Sequence, residues 1–236
     1  MQINGSKALV TGANRGLGKA FAEALVARGA TTVYATARRP ESIDIPGVVP
    51  LRLDVTDPST IEAAAAEVGD LDILINNAGI STDAPLLGPS TDNIRREFET
   101  NFWGTLDVTR AFAPRLAGGA ILNVISALSW YAFAPSSNGY AASKAAMWSL
   151  TNGVRLELAD QKTQVTALAL AIADTDMMAG YDIPKLPPRE VVALALDGLE
   201  AGKLEVVADT PTANVKASLS RDPALFYADI PGALFG

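Results

Sequence analysis

Tyr140-Ala141-Ala142-Ser143-Lys144 sets a phenol and an ammonium at positions i and i+4, one turn apart on a single face if the segment is helical. A fixed cation beside a phenol favours the phenolate and lowers its pKa, so Tyr140 is expected to exchange a proton near neutral pH. That route matters because the chain contains no Cys and no His. It cannot build a disulfide, a thiolate nucleophile, a Cys/His zinc site or a Ser-His-Asp triad, and no metal site is expected. Acid/base work falls to Tyr, Lys, Asp, Glu or Ser. Taken alone, a Tyr-x-x-x-Lys pair is usually surface decoration, so its meaning rests on the company it keeps.

The second informative stretch is Thr11-Gly12-Ala13-Asn14-Arg15-Gly16-Leu17-Gly18, which follows an apolar run and opens into a helical pattern carrying Lys19, Ala20 and Phe21. Glycines there permit a tight turn and close backbone approach, while the helix N-terminus offers unpaired N–H groups and positive dipole to a pyrophosphate. A glycine-rich turn that merely packs a helix on a strand is the plain alternative. Three glycines between the first strand and its helix favour a dinucleotide site, although their spacing is not the G-x-G-x-x-G of the general fingerprint.

The pattern T-G-x-x-x-G-x-G resembles the first motif of the short-chain dehydrogenases/reductases, in their short single-domain branch. The resemblance implies an oxidoreductase that moves hydride between a nicotinamide and a carbonyl or alcohol. It places Asn14, Arg15 and Leu17 with the three glycines around the coenzyme, Asp54 and Val55 beside the adenine, and Asn77-Ala78-Gly79 beside the adenosine ribose. It makes Tyr140 the general acid in reduction, and Lys144 the cation that tunes it and binds the nicotinamide ribose. Ser126 holds the substrate oxygen, and the Asn101 region supports a water relay to Lys144. Thr175, with Ala173 beside it, meets the carboxamide. Without the family frame, Asp54 reads as a helix N-cap and Asn77-Gly79 as a turn.

Two departures from the family pattern carry expectations of their own. One more residue separates Ser126 from Tyr140 than is usual, and it is assigned to the loop Ala134 to Gly139; Ser129 and Ser137 compete for the serine role, with Ser126 preferred because it follows the apolar run Ile121 to Ile125. Leu170-Ala171 stands where Pro-Gly is common, which predicts an altered bend and a Cβ that reshapes the substrate cavity. The coenzyme type follows from Ala35-Thr36-Ala37-Arg38-Arg39, where an Asp or Glu would accept from the ribose hydroxyls of NAD and an Arg would pair with the 2′-phosphate of NADP. With no carboxylate before Glu41, NADP(H) is expected over NAD(H), held by Arg38 with Arg15 closing on the same phosphate; solvated loop arginines are the plain alternative.

These residues need a scaffold, and the hydropathy pattern supplies one. Strands are expected at Ala8 to Thr11, Thr32 to Thr36, Val48 to Leu53, Ile73 to Asn76, Ala120 to Ile125, Gln164 to Leu170 and Leu204 to Val207. Most are near-continuous apolar runs, as strands covered on both faces should be. Helices are expected at Gly16 to Arg28, Ser59 to Val68, Asn93 to Arg115, Tyr140 to Leu158 and Arg189 to Ala201. This alternation predicts an α/β, Rossmann-like, doubly wound sheet of seven mostly parallel strands with helices on both faces, in one domain over 1–236. The composition assigns no element to the tail Thr210 to Gly236.

Composition bounds the rest. Hydrophobic residues are 49% against 19% charged over 236 residues, enough to bury a core. A net charge of −7 with no Lys/Arg stripe argues against nucleic acid. No apolar run reaches the roughly 20 residues of a membrane span, and Met1 to Lys7 does not read as a secretory signal, so a cytoplasmic protein is expected. The resemblance sets Met177, Met178 and Tyr181 opposite Trp130, Tyr131 and Phe133, which predicts an apolar or aromatic carbonyl substrate; the same residues suit a lid or a subunit interface. The resemblance further implies a homodimer or homotetramer. The rival from another functional class is a non-catalytic NADP-binding regulator on the same fold.

Overall fold

The computed structural model describes residues 1–133 and 136–235, the last five of these by backbone alone. Seven strands, β1 (Lys7–Val10), β2 (Thr32–Ala37), β3 (Val49–Arg52), β4 (Ile73–Asn76), β5 (Ala120–Val124), β6 (Gln164–Ala169) and β7 (Glu205–Val207), pair in parallel in the order β3-β2-β1-β4-β5-β6-β7. The order reverses between β1 and β4, and in such sheets the crevice beyond the strands' carboxyl ends at that point is where ligands bind. The expected doubly wound Rossmann-like sheet is therefore present, with strand limits within a residue or two of those expected. Pro50 sits in β3, where an edge strand tolerates a missing N–H.

Helices α1 (Gly16–Ala27) and α6 (Pro188–Glu200) cover one face of the sheet, and α2 (Pro58–Val68) and α4 (Gly104–Phe112) cover the other. Alternation along the strands feeds the two cores: Ala8 and Val10 pack with Phe21, Leu25 and Leu196, whereas Leu9 packs with Ile61, Val108 and Phe112. Each such large side chain contributes about 1.5–3 kcal/mol by leaving water. A buried polar ladder crosses the second layer: Asn76 Nδ2 donates to Thr109 Oγ1 (3.1 Å) and Asn123 Oδ1 (2.9 Å), and Asn123 Nδ2 donates to Thr151 Oγ1 (3.0 Å). It registers α4, β4, β5 and α5 (Asn138–Glu157) against one another.

Three expectations change. The single helix expected over Asn93 to Arg115 is interrupted: α3 (Asp92–Phe98) passes through a π turn at Glu99–Trp103 into α4, and Pro114 closes the run in a 3-10 turn. Tertiary packing is the cause, since a Cβ on Gly104 would lie 2.8 Å from the Val55 carbonyl and Asn101 is anchored to the Ile80 backbone. The tail holds two helices, α7 (Thr210–Ala217) and α8 (Pro223–Phe235), each with a proline in its first turn. The loop assigned the extra residue loses Asn138 and Gly139 to α5, and its Ala134 and Pro135 lie outside the described residues.

Candidate active site

One cleft of about 1350 Å³ runs along the carboxyl ends of the strands. At its nucleotide end, Gly12 (φ +65°) and Gly16 (φ +54°) turn the chain from β1 into α1. A Cβ on Gly18 would fall 2.1 Å from the Gly12 carbonyl, so the turn closes only on glycine. Asn77 braces it, donating through Nδ2 to the carbonyls of Thr11 (2.9 Å) and Gly12 (3.2 Å), while Thr11 Oγ1 accepts from the N–H groups of Asn77 and Ala78 (both 3.0 Å). The N-N-A-G segment is thus a strut for the glycine turn. Asp54 is not the cap of α2; Asp57 is, accepting from Ser59 N–H, and Asp54 instead holds Thr56 and remains on the cleft wall.

Asn14, Arg15, Leu17, Arg38, Val55, Ala78 and Gly79 line this same end, joined by Arg39, which sequence reasoning did not assign. Arg15 meets Asp176 at 3.5 Å, both largely exposed, and Thr175 lies where a Cβ on Gly16 would touch its methyl at 3.3 Å. Ala173 lines the floor between. An adenine dinucleotide fits these residues: a glycine cradle in which a Cβ on Gly18 would clash, three arginines, and no carboxylate at the end of β2.

At the other end the structure brings Ser126, Tyr140 and Lys144 together. Ser126 caps a 3-10 turn after β5, with its Oγ accepting from Leu128 N–H (3.1 Å), and its hydroxyl is in hydrogen-bonding contact with the Tyr140 phenol. Ser129 is buried beneath it and accepts from Ser126 N–H (3.2 Å), and Ser137 sits at the mouth, so neither competing serine reaches the phenol by a hydrogen bond. Lys144 is buried, its Nζ donating to the Val124 carbonyl (2.8 Å) and lying 5.7 Å from the Tyr140 ring centre. Asn101 stands behind the wall, fully buried: its amide ties Ile80 to Ser143 of α5, with Nδ2 donating to Ser143 Oγ at 2.9 Å. π turns of this kind recur at functional sites.

The electrostatics depart from the expectation that Lys144 would acidify Tyr140. Burial pushes the phenol up to about 12, the Ser126 hydrogen bond opposing it and the charge of Glu97 adding to it. Burial also brings Lys144 down to about 8. Withdrawal from water favours both neutral forms, and the phenol is held as a proton donor.

Met177, Met178, Tyr181, Tyr131 and Phe133 line the same cleft as Ser126 and Tyr140. Trp130 does not; it packs on Ile125 and Met147, with Lys216 Nζ 5.4 Å from its ring centre. Asp83, unassigned from sequence, joins three loops: it accepts from Ser137 Oγ (2.6 Å) and from the Tyr181 hydroxyl (3.1 Å), and it lies in the left-handed region (φ +53°). Leu170-Ala171 makes a turn held from outside the family motif, since Ala171 N–H donates to Asp209 Oδ2 (2.8 Å) while Oδ1 caps α7 through Thr212 N–H (2.7 Å). Asp209→Ala should therefore cost about 1–2 kcal/mol, read as a lower midpoint in urea; an unchanged midpoint would discount this tie.

Among the described residues no His/Cys/Asp/Glu group suited to a metal occurs, and no helix is long and apolar enough to cross a membrane. A parallel sheet with a dinucleotide-sized crevice at its switch point, and a Ser, a Tyr and a Lys gathered at one end of it, defines a Rossmann-type oxidoreductase scaffold. The short chain dehydrogenase model matches residues 6–184. D-erythrulose reductase of Gallus gallus is 34% identical over 185 residues, covering 75% of each chain, and carbonyl reductase [NADPH] 2 of Sus scrofa is 31% identical with the same coverage. A short chain dehydrogenase from Burkholderia cenocepacia, solved in complex with NADP, is 40% identical and superimposes with a TM-score of 0.93 over 98% of this chain and 99% of its own. The chain belongs to the short-chain dehydrogenase/reductase family of oxidoreductases.

Proposed function

We propose that this oxidoreductase is an NADPH-dependent carbonyl reductase, acting through Ser126, Tyr140 and Lys144 on an apolar or aromatic ketone or aldehyde and reversibly oxidising the alcohol, with 1–236 as one catalytic unit. The observation that carries this is the Ser126–Tyr140 contact above a buried Lys144, at the far end of a cleft whose near end offers arginines and no carboxylate. The NADP bound by the Burkholderia cenocepacia relative and the NADPH in the name of the Sus scrofa one support the coenzyme. When bound, NADPH supplies the hydride.

The protein's part is to orient and to protonate. Ser126 donates to the substrate carbonyl oxygen, and Tyr140 gives its proton to that oxygen as negative charge develops there. Lys144, held by the Val124 carbonyl, places positive charge behind the phenol, and Asn101 fixes the Ile80 backbone against Ser143 of α5 beside the lysine. Met177, Met178, Tyr131 and Phe133 exclude water from the reacting carbon. Assembly as a homo-oligomer in the cytoplasm accompanies this reading: Trp103 on the π turn and Trp148 and Leu156 on α5 are exposed apolar residues on the helices that would pair.

The direct test is loss of NADPH absorbance with a panel of aryl and alkyl ketones, repeated with NADH; no turnover with any of them would favour a regulator instead. The pH profile is a second. The ammonium of Lys144 exists below about pH 8 and is lost as the pH rises through that value, so kcat/KM for reduction should fall above about pH 8. A flat profile well into alkaline pH would remove the charged lysine from the step.

A further inference from the structure

Glu97, in the last turn of α3, is fully buried with only half of its carboxylate engaged. Oε1 accepts from the N–H and the hydroxyl of Thr82 (2.7 and 2.8 Å), whereas Oε2 has no hydrogen-bond partner among the described residues. That free oxygen faces Gly139, the residue before Tyr140. A Cβ there would lie 2.5 Å from Oε2 and 3.0 Å from Ile94 Cγ1, so glycine is what allows the carboxylate to reach the first turn of α5. A buried acid with an unsatisfied oxygen is costly, and a helix N-terminus favours a nearby negative charge. The titratable groups on the elements packed against it are Tyr140 and Lys144 on α5 and Asp83 beside Thr82. Arg95, Arg96 and Glu99 of its own helical run are exposed to solvent.

We propose that Glu97 is a positioning residue for Tyr140: it seats the start of α5 and the Thr82 loop, and it stations a negative charge behind the phenol that keeps the phenol protonated. This rests on the reading of Tyr140 as proton donor. The charge of Glu97 raises the phenol's proton affinity, in line with that role. Through Thr82 it also steadies Asp83, and hence the contact of that residue with Tyr181.

Glu97→Gln keeps the shape and the acceptor for Thr82 while removing the charge. Its acidic limb for alcohol oxidation should move about half a pH unit lower, so that oxidation at a fixed pH on that limb rises roughly threefold, with coenzyme KM and thermal midpoint held. Glu97→Asp, which retains the charge, should keep the wild-type limb. Glu97→Leu loses the Thr82 anchor as well, and kcat should drop further than in Glu97→Gln. A limb in Glu97→Gln that coincides with wild type overturns the proposal. Should that variant fail to fold, titration of the phenolate absorbance in Glu97→Asp and wild type decides instead, and a phenol in Glu97→Asp that ionises at lower pH overturns it. Should Tyr140→Phe keep normal turnover, the functional reading falls first; an inactive Tyr140→Phe together with an unmoved Glu97→Gln limb overturns this inference alone.

Discussion

Tyr140→Phe is expected to bind NADPH as the wild type does and to lose about 10²–10⁴-fold in turnover, the contribution of a positioned general acid. The change removes one oxygen. The ring stays beside Lys144 and the α5 backbone is untouched, so the cleft wall should persist. What disappears is the proton held on the phenol by burial at neutral pH, and with it the group that Ser126 contacts. Fluorescence titration with NADPH would report binding, and steady-state reduction of the best ketone found would report turnover. Near-normal turnover would take Tyr140 out of the chemistry.

Arg38→Asp should move the coenzyme preference by roughly 10²-fold in the ratio of kcat/KM for NADPH to that for NADH. An Arg–phosphate interaction is worth about 1.5–3 kcal/mol, and the new carboxylate both repels a 2′-phosphate and accepts from a ribose hydroxyl. Arg38 follows the last residue of β2 and lines the cleft beside Arg39. Arg15 reaches from the glycine turn but also meets Asp176, so it contributes less of the discrimination. An unchanged ratio would mean that the phosphate is held elsewhere.

The sheet was legible because a parallel strand covered on both sides must be apolar along its length, and Ile73 to Asn76 or Ala120 to Val124 has few other readings. The glycine turn was legible because its three positions admit so little else. What escaped notice depends on partners far along the chain. The π turn arises where Gly104 meets Val55 and Asn101 meets Ile80, contacts that helical periodicity does not encode. Glu97 looks like an ordinary surface acid in Arg95-Arg96-Glu97; only the pairing with Thr82 and Gly139 makes it interior. The type of Trp130 suggests a substrate wall, but the room beside Met147 and under Lys216 claims it. The tail did carry signals, Asp209-Thr210-Pro211 and Asp222-Pro223, which are cap-and-proline starts for α7 and α8.

The junction at Asp83 has a kinetic consequence. Its hydrogen bonds to Ser137 and Tyr181 join different segments: Ser137 precedes the long helix α5, whereas Tyr181 belongs to a segment with little regular structure and has an exposed side chain. Swinging the tyrosine outward breaks one solvent-facing bond worth roughly 1 kcal/mol, and the serine end need not move. On the proposed reading, admission of a carbonyl substrate and departure of its alcohol would then be rapid while Tyr140 and Ser126 keep their alignment throughout the cycle.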